Sequence, residues 1–225
     1  YTLRIRGRAI PAVIMCGVAT APAYRHRGLM RRCMELFERN ARDKGAFVLF
    51  QSPVDFRIYE WCMQYPSSAS AIITSEKARG MRGCRYAEDS PCCEGFAEEL
   101  LIVYERIMKG YSGRVVRSTE DMRSVLRGHT ADGGRLVRYI KEGRTRGYAL
   151  YFDYEGQISN IEFMAEGRAA AGILSSLGAK GRGKKLSLRG PIGLCSLRLP
   201  SCFKAAWADT TAMAALNVPG LLHKL

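Results

Sequence analysis

Cys16-Gly17-Val18-Ala19-Thr20-Ala21-Pro22-Ala23-Tyr24-Arg25-His26-Arg27-Gly28-Leu29-Met30 is the stretch on which the reading of the whole chain turns. An apolar run closes at Thr20, a turn passes through Pro22, and a basic segment containing Gly28 opens a helix. A strand, a turn and a helix N-terminus in this order bring main-chain N–H groups to one point, where they can hold a phosphate. Arg25 and Arg27 add positive charge there. Gly28 lets a ligand come close to the main chain.

Working outward, Leu29, Met30, Cys33, Met34, Phe37 and Ala41 recur at helical spacing and form one apolar stripe. Arg31, Arg32, Glu35, Glu38, Arg39 and Arg42 take the other side, with Glu35–Arg39 and Glu38–Arg42 as i,i+4 pairs. Gly45 marks the stop, and residues 46–50 read as a buried strand. Upstream, residues 1–6 alternate apolar and basic and read as a strand, and Gly7-Arg8 makes a turn. Residues 12–20 form a second strand with Pro11 at its start. Cys16 and Cys33 fall on apolar faces and read as small core residues.

The bulk composition, 47% hydrophobic and 25% charged over 225 residues, is that of one large globular domain or two small ones. No apolar run is long enough to span a membrane, and no signal peptide is visible. The chain opens on Tyr1 and reads as a fragment or a processed form. Its net charge of +14 suits an anionic partner. The Lys and Arg residues are spread along the chain and lack interleaved aromatics, which argues against a single-strand-binding groove. The eight cysteines form no C-x-x-C pair, and His26, His129 and His223 lie far from any cluster of them, so no zinc site is expected. Reduced thiols and a cytoplasmic setting follow as the default.

Downstream, residues 51–65 give a strand, a turn at Pro53 and a short helix carrying Tyr59. Phe56, Tyr59 and Cys62 could equally pack that helix. Residues 67–94 are polar and read as a connection with one strand at 70–74. Residues 97–108 are apolar and periodic. Ser118 or Thr119 caps a helix running to Leu126, with Glu120 and Asp121 in its first turn. Residues 135–141, 147–154 and 157–165 read as a strand meander, turning at Glu142-Gly143 and Glu155-Gly156. A helix at 168–177 and a strand at 185–189 follow. The run from Gly178 to Lys185 nearly spells a phosphate-binding P-loop. It follows a helix and has Lys185 where a hydroxyl would hold magnesium, so a basic loop is the expectation.

Arg25-His26-Arg27-Gly28-Leu29-Met30 resembles the acetyl-CoA-binding motif of the GNAT N-acetyltransferase superfamily, Arg/Gln-x-x-Gly-x-Gly/Ala after a strand. Met30 replaces the small last residue. The longer run from Gly17 is similar to the branch containing the mycobacterial enhanced-intracellular-survival (Eis-like) acetyltransferases. The resemblance implies a mixed-sheet α/β GNAT fold. Residues 1–75 would be the later half of one GNAT domain and 76–96 a connection. Residues 97–212 would be a second, degenerate GNAT-like domain without a cofactor, and 213–225 the start of a sterol-carrier-like region. It further implies acetyl-CoA as cosubstrate, no metal, and a primary amine acceptor of aminoglycoside or polyamine type. The cofactor would be held by Val18, Ala19, Thr20, Arg25, His26, Arg27, Gly28, Leu29 and Met30, with Tyr59 as catalytic acid. A homo-oligomer is among the expectations. Two other readings stay open. One is a catalytically inactive member of the same fold, since Met63 or Gln64 stands where the family has Gly. The other is a basic nucleic-acid-binding module.

Overall fold

The computed structural model describes residues 1–51, 65–77, 79–80, 87–197, 199, 201–216 and 224. Tyr59 lies outside the described residues, as do Pro53, Phe56, Cys62, Met63, Gln64, Cys84 and His223. The chain divides into two compact units. One is Tyr1–Ala69 with Tyr111–Val116 and Asp209–Leu225; the other is Ser70–Gly110 with Arg117–Ala208.

In the first unit, β1 (Thr2–Ile5) and β2 (Arg8–Ile14) form an antiparallel hairpin closed at Ile5 and Arg8. β6 (Arg114–Val116) adds to the other edge of β1. Helix α1 (Leu29–Asp43) carries the chain from β2 to β3 (Val48–Gln51), which runs parallel to β2. Residues Ala212–Ala215 of β11 (Lys204–Ala215) then pair antiparallel with β3. The period-two alternation of strand side chains divides the core between two faces. Leu3, Ile10, Ala12, Val48 and Phe50 pack on one. Val13, Met15 and Leu49 pack on the other with Phe37 and Ala41 of α1.

Several sequence expectations shift here. β2 stops at Ile14, not at Thr20. Among the described residues, the last hydrogen bond holding it to β3 runs from Met15 N–H to Phe50 O at 3.1 Å, and Gly17, at φ +66°, breaks the extended run. Pro11 sits inside β2 and not at its start. Ala12 N–H donates to Tyr1 O, so the nitrogen of Pro11 faces the β3 side, where pairing begins only at Ala12. The Glu38–Arg42 pair forms at 3.3 Å. Ala212–Ala215, at the edge of the stretch expected to open a sterol-carrier-like region, are strand partners of β3.

The second unit is a sheet covered on both faces. β7 (Arg135–Lys141), β8 (Arg144–Tyr154) and β9 (Gln157–Met164) form the expected meander. Glu142 and Gly143 both take positive φ in the β7–β8 turn, the geometry a two-residue hairpin needs. Helix α4 (Gly167–Lys180) leads to β10 (Lys185–Gly190), parallel to β9. The Ala71–Ser75 part of β4 (Tyr65–Ser75) pairs with β10. Val137, Ala149, Tyr151 and Phe163 pack under α4, against Ala170, Ile173 and Leu177. Their neighbours Leu136, Tyr148 and Leu150 face the opposite way, onto Leu100 and Val103 of α2 (Ala97–Met108) and Met122 and Leu126 of α3 (Thr119–Ala131). The lysines of the P-loop-like run lie beside carboxylates, Lys180 at Asp89, Lys184 at Asp153 and Lys185 at Glu76.

Helix α3 starts at the expected Ser118 cap, which forms a reciprocal box with Asp121. It extends past Leu126 to Ala131 because His129, in its last turn, is buried. The ring nitrogen Nε2 of His129 lies 3.0 Å from Arg135 O, and the ring meets Phe152 edge-on at 4.6 Å. Gly134 fits against it only for want of a side chain, since a Cβ there would lie 2.2 Å from His129 Cε1. Gly134→Ala should therefore cost about 1–3 kcal/mol, read as a lower urea midpoint at unchanged slope.

The polar stretch expected to be a connection also holds β5 (Glu88–Pro91), an edge strand on β7. Asp89 ties it down. Tyr151 donates to it at 2.7 Å, Arg135 pairs with it at 2.8 Å, and Lys180 contacts it as well. Burial pushes the Asp89 carboxyl pKa up, but the bonds from Arg135, Lys180 and Tyr151 outweigh that and hold it below the ordinary carboxylate value. A lowered folded pKa means a contribution fully present above the unfolded value near 3.9 and lost as pH falls through the folded one. Below about pH 4, wild-type stability should thus fall more steeply than that of Asp89→Asn. At neutral pH the variant should be less stable by about 1–2 kcal/mol. Denaturant melts from pH 3 to pH 7 check both.

Candidate active site

The site lies wholly in the first unit, where the chain leaves β2. Past Met15 it runs through Val18, Ala19 and Thr20 and makes a short 3-10 turn at Pro22–Tyr24. Arg25 Nε–H donates to Thr20 O at 3.2 Å, closing the loop on itself. His26, at φ +62°, is a non-glycine residue in the left-handed region, a costly conformation that concentrates at ligand-binding turns. Gly28, at φ +72°, is the N-cap of α1. The first helical bond runs from Arg32 N–H to Gly28 O, so the N–H groups of Leu29 and Met30 precede it without an intrahelical acceptor.

Two cavities meet at this loop. The first, about 680 Å³, is walled by Ile14 through Ala21 on one side and by Leu29, Met30, Cys33, Met34 and Phe37 of α1 on the other. The second, about 690 Å³, is lined by Val18, Ala19, Thr20, Tyr24, Arg25, His26, Gly28, Leu29, Met30 and Arg31. Val18, Ala19, Thr20, Tyr24, Leu29 and Met30 belong to both, so one elongated ligand can occupy the pair. The first end is apolar and the second is basic.

The charge at the head of α1 runs against the helix dipole. A helix N-terminus carries roughly half a positive charge and favours acids, by about 0.3–1 kcal/mol each. Helices α2 and α3 comply: α2 has Glu98 and Glu99 in its first turn, and α3 has Glu120 and Asp121. Helix α1 has no acid in its first turn, and Arg25, Arg27, Arg31 and Arg32 gather there, all exposed. That arrangement is unfavourable in isolation and favourable around a polyanion.

Of the nine residues expected around a cofactor, eight line the second cavity: Val18, Ala19, Thr20, Arg25, His26, Gly28, Leu29 and Met30. Arg27 lines neither of these two cavities and lies over the Tyr24 ring, 5.4 Å from its centre. Tyr24 was not anticipated, although an aromatic directly before Arg25 is a signal the sequence offers. Cys16 and Cys33, expected in the core, are both exposed. The helical stripe forms, but only its Met34–Ala41 end packs down, with Met34 and Ala41 buried and Phe37 half-buried. Its first turn faces the cavity, and Cys16 lies beyond the end of β2.

Among the described residues, no three His, Cys, Asp or Glu side chains are grouped to hold a metal ion. Nor is any helix among them long and apolar enough to cross a membrane.

Residues 1–61 match the family model of an acetyltransferase (GNAT) domain. The chain is similar over its whole length to a probable N-acyltransferase from Enterococcus faecalis, with a TM-score of 0.72 and 16% identity, covering 100% of this chain and 59% of that one. It is similar to a GCN5-related N-acetyltransferase from Kribbella flavida at a TM-score of 0.69 and 18% identity, over 99% of this chain and 57% of the other. With Eis1 from Mycobacterium abscessus the TM-score is 0.62 at 18% identity, over 98% and 60% of the two chains. The chain thus spans somewhat under two thirds of the length of these relatives. A search of curated protein sequences finds no significant match.

Proposed function

From a chain that shares the mixed-sheet GNAT fold and carries an acetyltransferase-domain match over residues 1–61, we propose an acetyl-CoA-dependent N-acetyltransferase acting on a primary amine. The observation that carries the reading is the pair of joined cavities, basic at the head of α1 and apolar beyond it. Acetyl-CoA has that shape: a polyanionic nucleotide on a long, weakly polar arm ending in a thioester.

The main-chain N–H groups from Arg25 to Met30 receive the diphosphate, and Arg25 and Arg27 add positive charge around it. The arm follows Val18–Thr20 into the first cavity. Main-chain N–H groups near Val18 polarise the thioester carbonyl and take up the negative charge that develops as the amine attacks. Tyr59 gives its proton to the departing thiolate. Met30 stands where the resembled motif has a smaller residue, and it lines both cavities. An aminoglycoside- or polyamine-like acceptor, the Eis-like branch, a cytoplasmic setting and a homo-oligomeric state belong to the same proposal.

The test is calorimetric titration with acetyl-CoA, then release of free thiol over a panel of primary amines. Saturable binding with amine-dependent thiol release is the expected result. Binding without release on any amine would leave a non-catalytic member of the fold, and no binding would overturn the reading.

A further inference from the structure

Two free thiols that the acetyl-transfer reading leaves unused share the apolar cavity. Cys16 stands on its loop wall, two residues before Val18, and Cys33 on its helix wall, one turn beyond Leu29. Both are exposed, and the rest of that cavity is largely thioether and hydrocarbon, from Met15, Met30, Met34 and Phe37. A ligand anchored at the basic end delivers its sulfur-bearing end between these walls.

We infer that Cys16 and Cys33 form a covalent capture site for CoA, which takes up CoA disulfide by thiol–disulfide exchange; this rests on the cofactor reading above. A cysteine thiolate attacks one sulfur of CoA disulfide, the S–S bond of the reagent breaks, and a protein–S–S–CoA bond forms. The other CoA leaves as a thiolate and takes up the proton the cysteine gave. The protein thiol is oxidised as one CoA equivalent is reduced, so no further oxidant is needed. The captured CoA fills the site that acetyl-CoA must use, and a reducing thiol frees it.

The sequence context supplies its own controls. Cys93 and Cys195 are also free and exposed, but both lie in the second unit. Anchoring through the nucleotide gives the cavity thiols an effective concentration on the order of 1 mM. With about 10 µM CoA disulfide, that corresponds to about a hundredfold acceleration over an unanchored thiol.

The experiment exposes the intact protein to CoA disulfide and follows adducts by peptide mapping. A parallel sample receives pantethine, the same disulfide without its nucleotides. The expected result is capture at Cys16 or Cys33 at least about tenfold faster than at Cys93 and Cys195. The preference should vanish with pantethine and in Arg25→Ala/Arg27→Ala. Equal rates at all four cysteines, in a protein that still binds reduced CoA by calorimetry, would overturn the capture site and leave the cofactor reading standing. Failure to bind reduced CoA would remove the cofactor reading, and directed capture with it.

Discussion

Arg25→Ala/Arg27→Ala binds CoA about 30- to 700-fold more weakly than the wild type in a calorimetric titration, a loss of about 2–4 kcal/mol. Each guanidinium contributes about one to two kcal/mol as a charge-assisted donor. Arg25 has a second role, since its Nε–H donates to Thr20 O and closes the loop on itself. Arg27 braces Tyr24, which lines both cavities. Both side chains are exposed, so the melting temperature of the free protein should stay within a degree or two, as for surface substitutions. Wild-type affinity should also fall with added salt more steeply than that of the variant, because two exposed charges are being screened. An unchanged affinity in the folded double variant would move the nucleotide elsewhere.

Turnover of Tyr59→Phe falls by about 10- to 1000-fold, with acetyl-CoA affinity nearly unchanged. The substitution removes one hydroxyl and keeps the ring. A thiolate is already a good leaving group, so protonating it contributes less than it would for an amine or alkoxide. A tyrosine that served only packing would behave otherwise: the Phe variant would keep its turnover, and any loss would appear in the unfolding midpoint. The pH profile adds a second readout. If Tyr59 must donate its proton, the alkaline limb of the wild-type turnover profile should be absent from the variant. Wild-type turnover in Tyr59→Phe would remove the residue from the chemistry.

Local chemistry was readable in advance; long-range pairing was not. The capping box of Ser118 and Asp121, the Glu142-Gly143 turn and the meander around it depend on residues a few positions apart, and all are found. The turn at Pro22 and the helix opening after Gly28 were legible for the same reason, since each depends on residues a few positions apart. β5, β6 and β11 were missed. β6 is short, β5 is polar, and each has its partner far away in sequence, so no period marks them. Cys33 shows a subtler limit. Periodicity finds the apolar stripe of a helix but not how much of it the sheet covers. The uncovered turn proved to be a wall of the candidate site.

The pairing of β1 with β6 and of β3 with β11 joins residues more than a hundred positions apart. During synthesis at about 5–20 residues per second, β1 and β3 wait on the order of ten seconds for their partners to emerge. Most of the second unit, Ser70–Gly110 with Arg117–Ala208, is made between β3 and β11 and can complete its core first. The unit that holds β1 and β3 is thus the later to finish, and its β3 edge stands open to chaperones, and to mispairing with other chains, until Ala215 has left the ribosome.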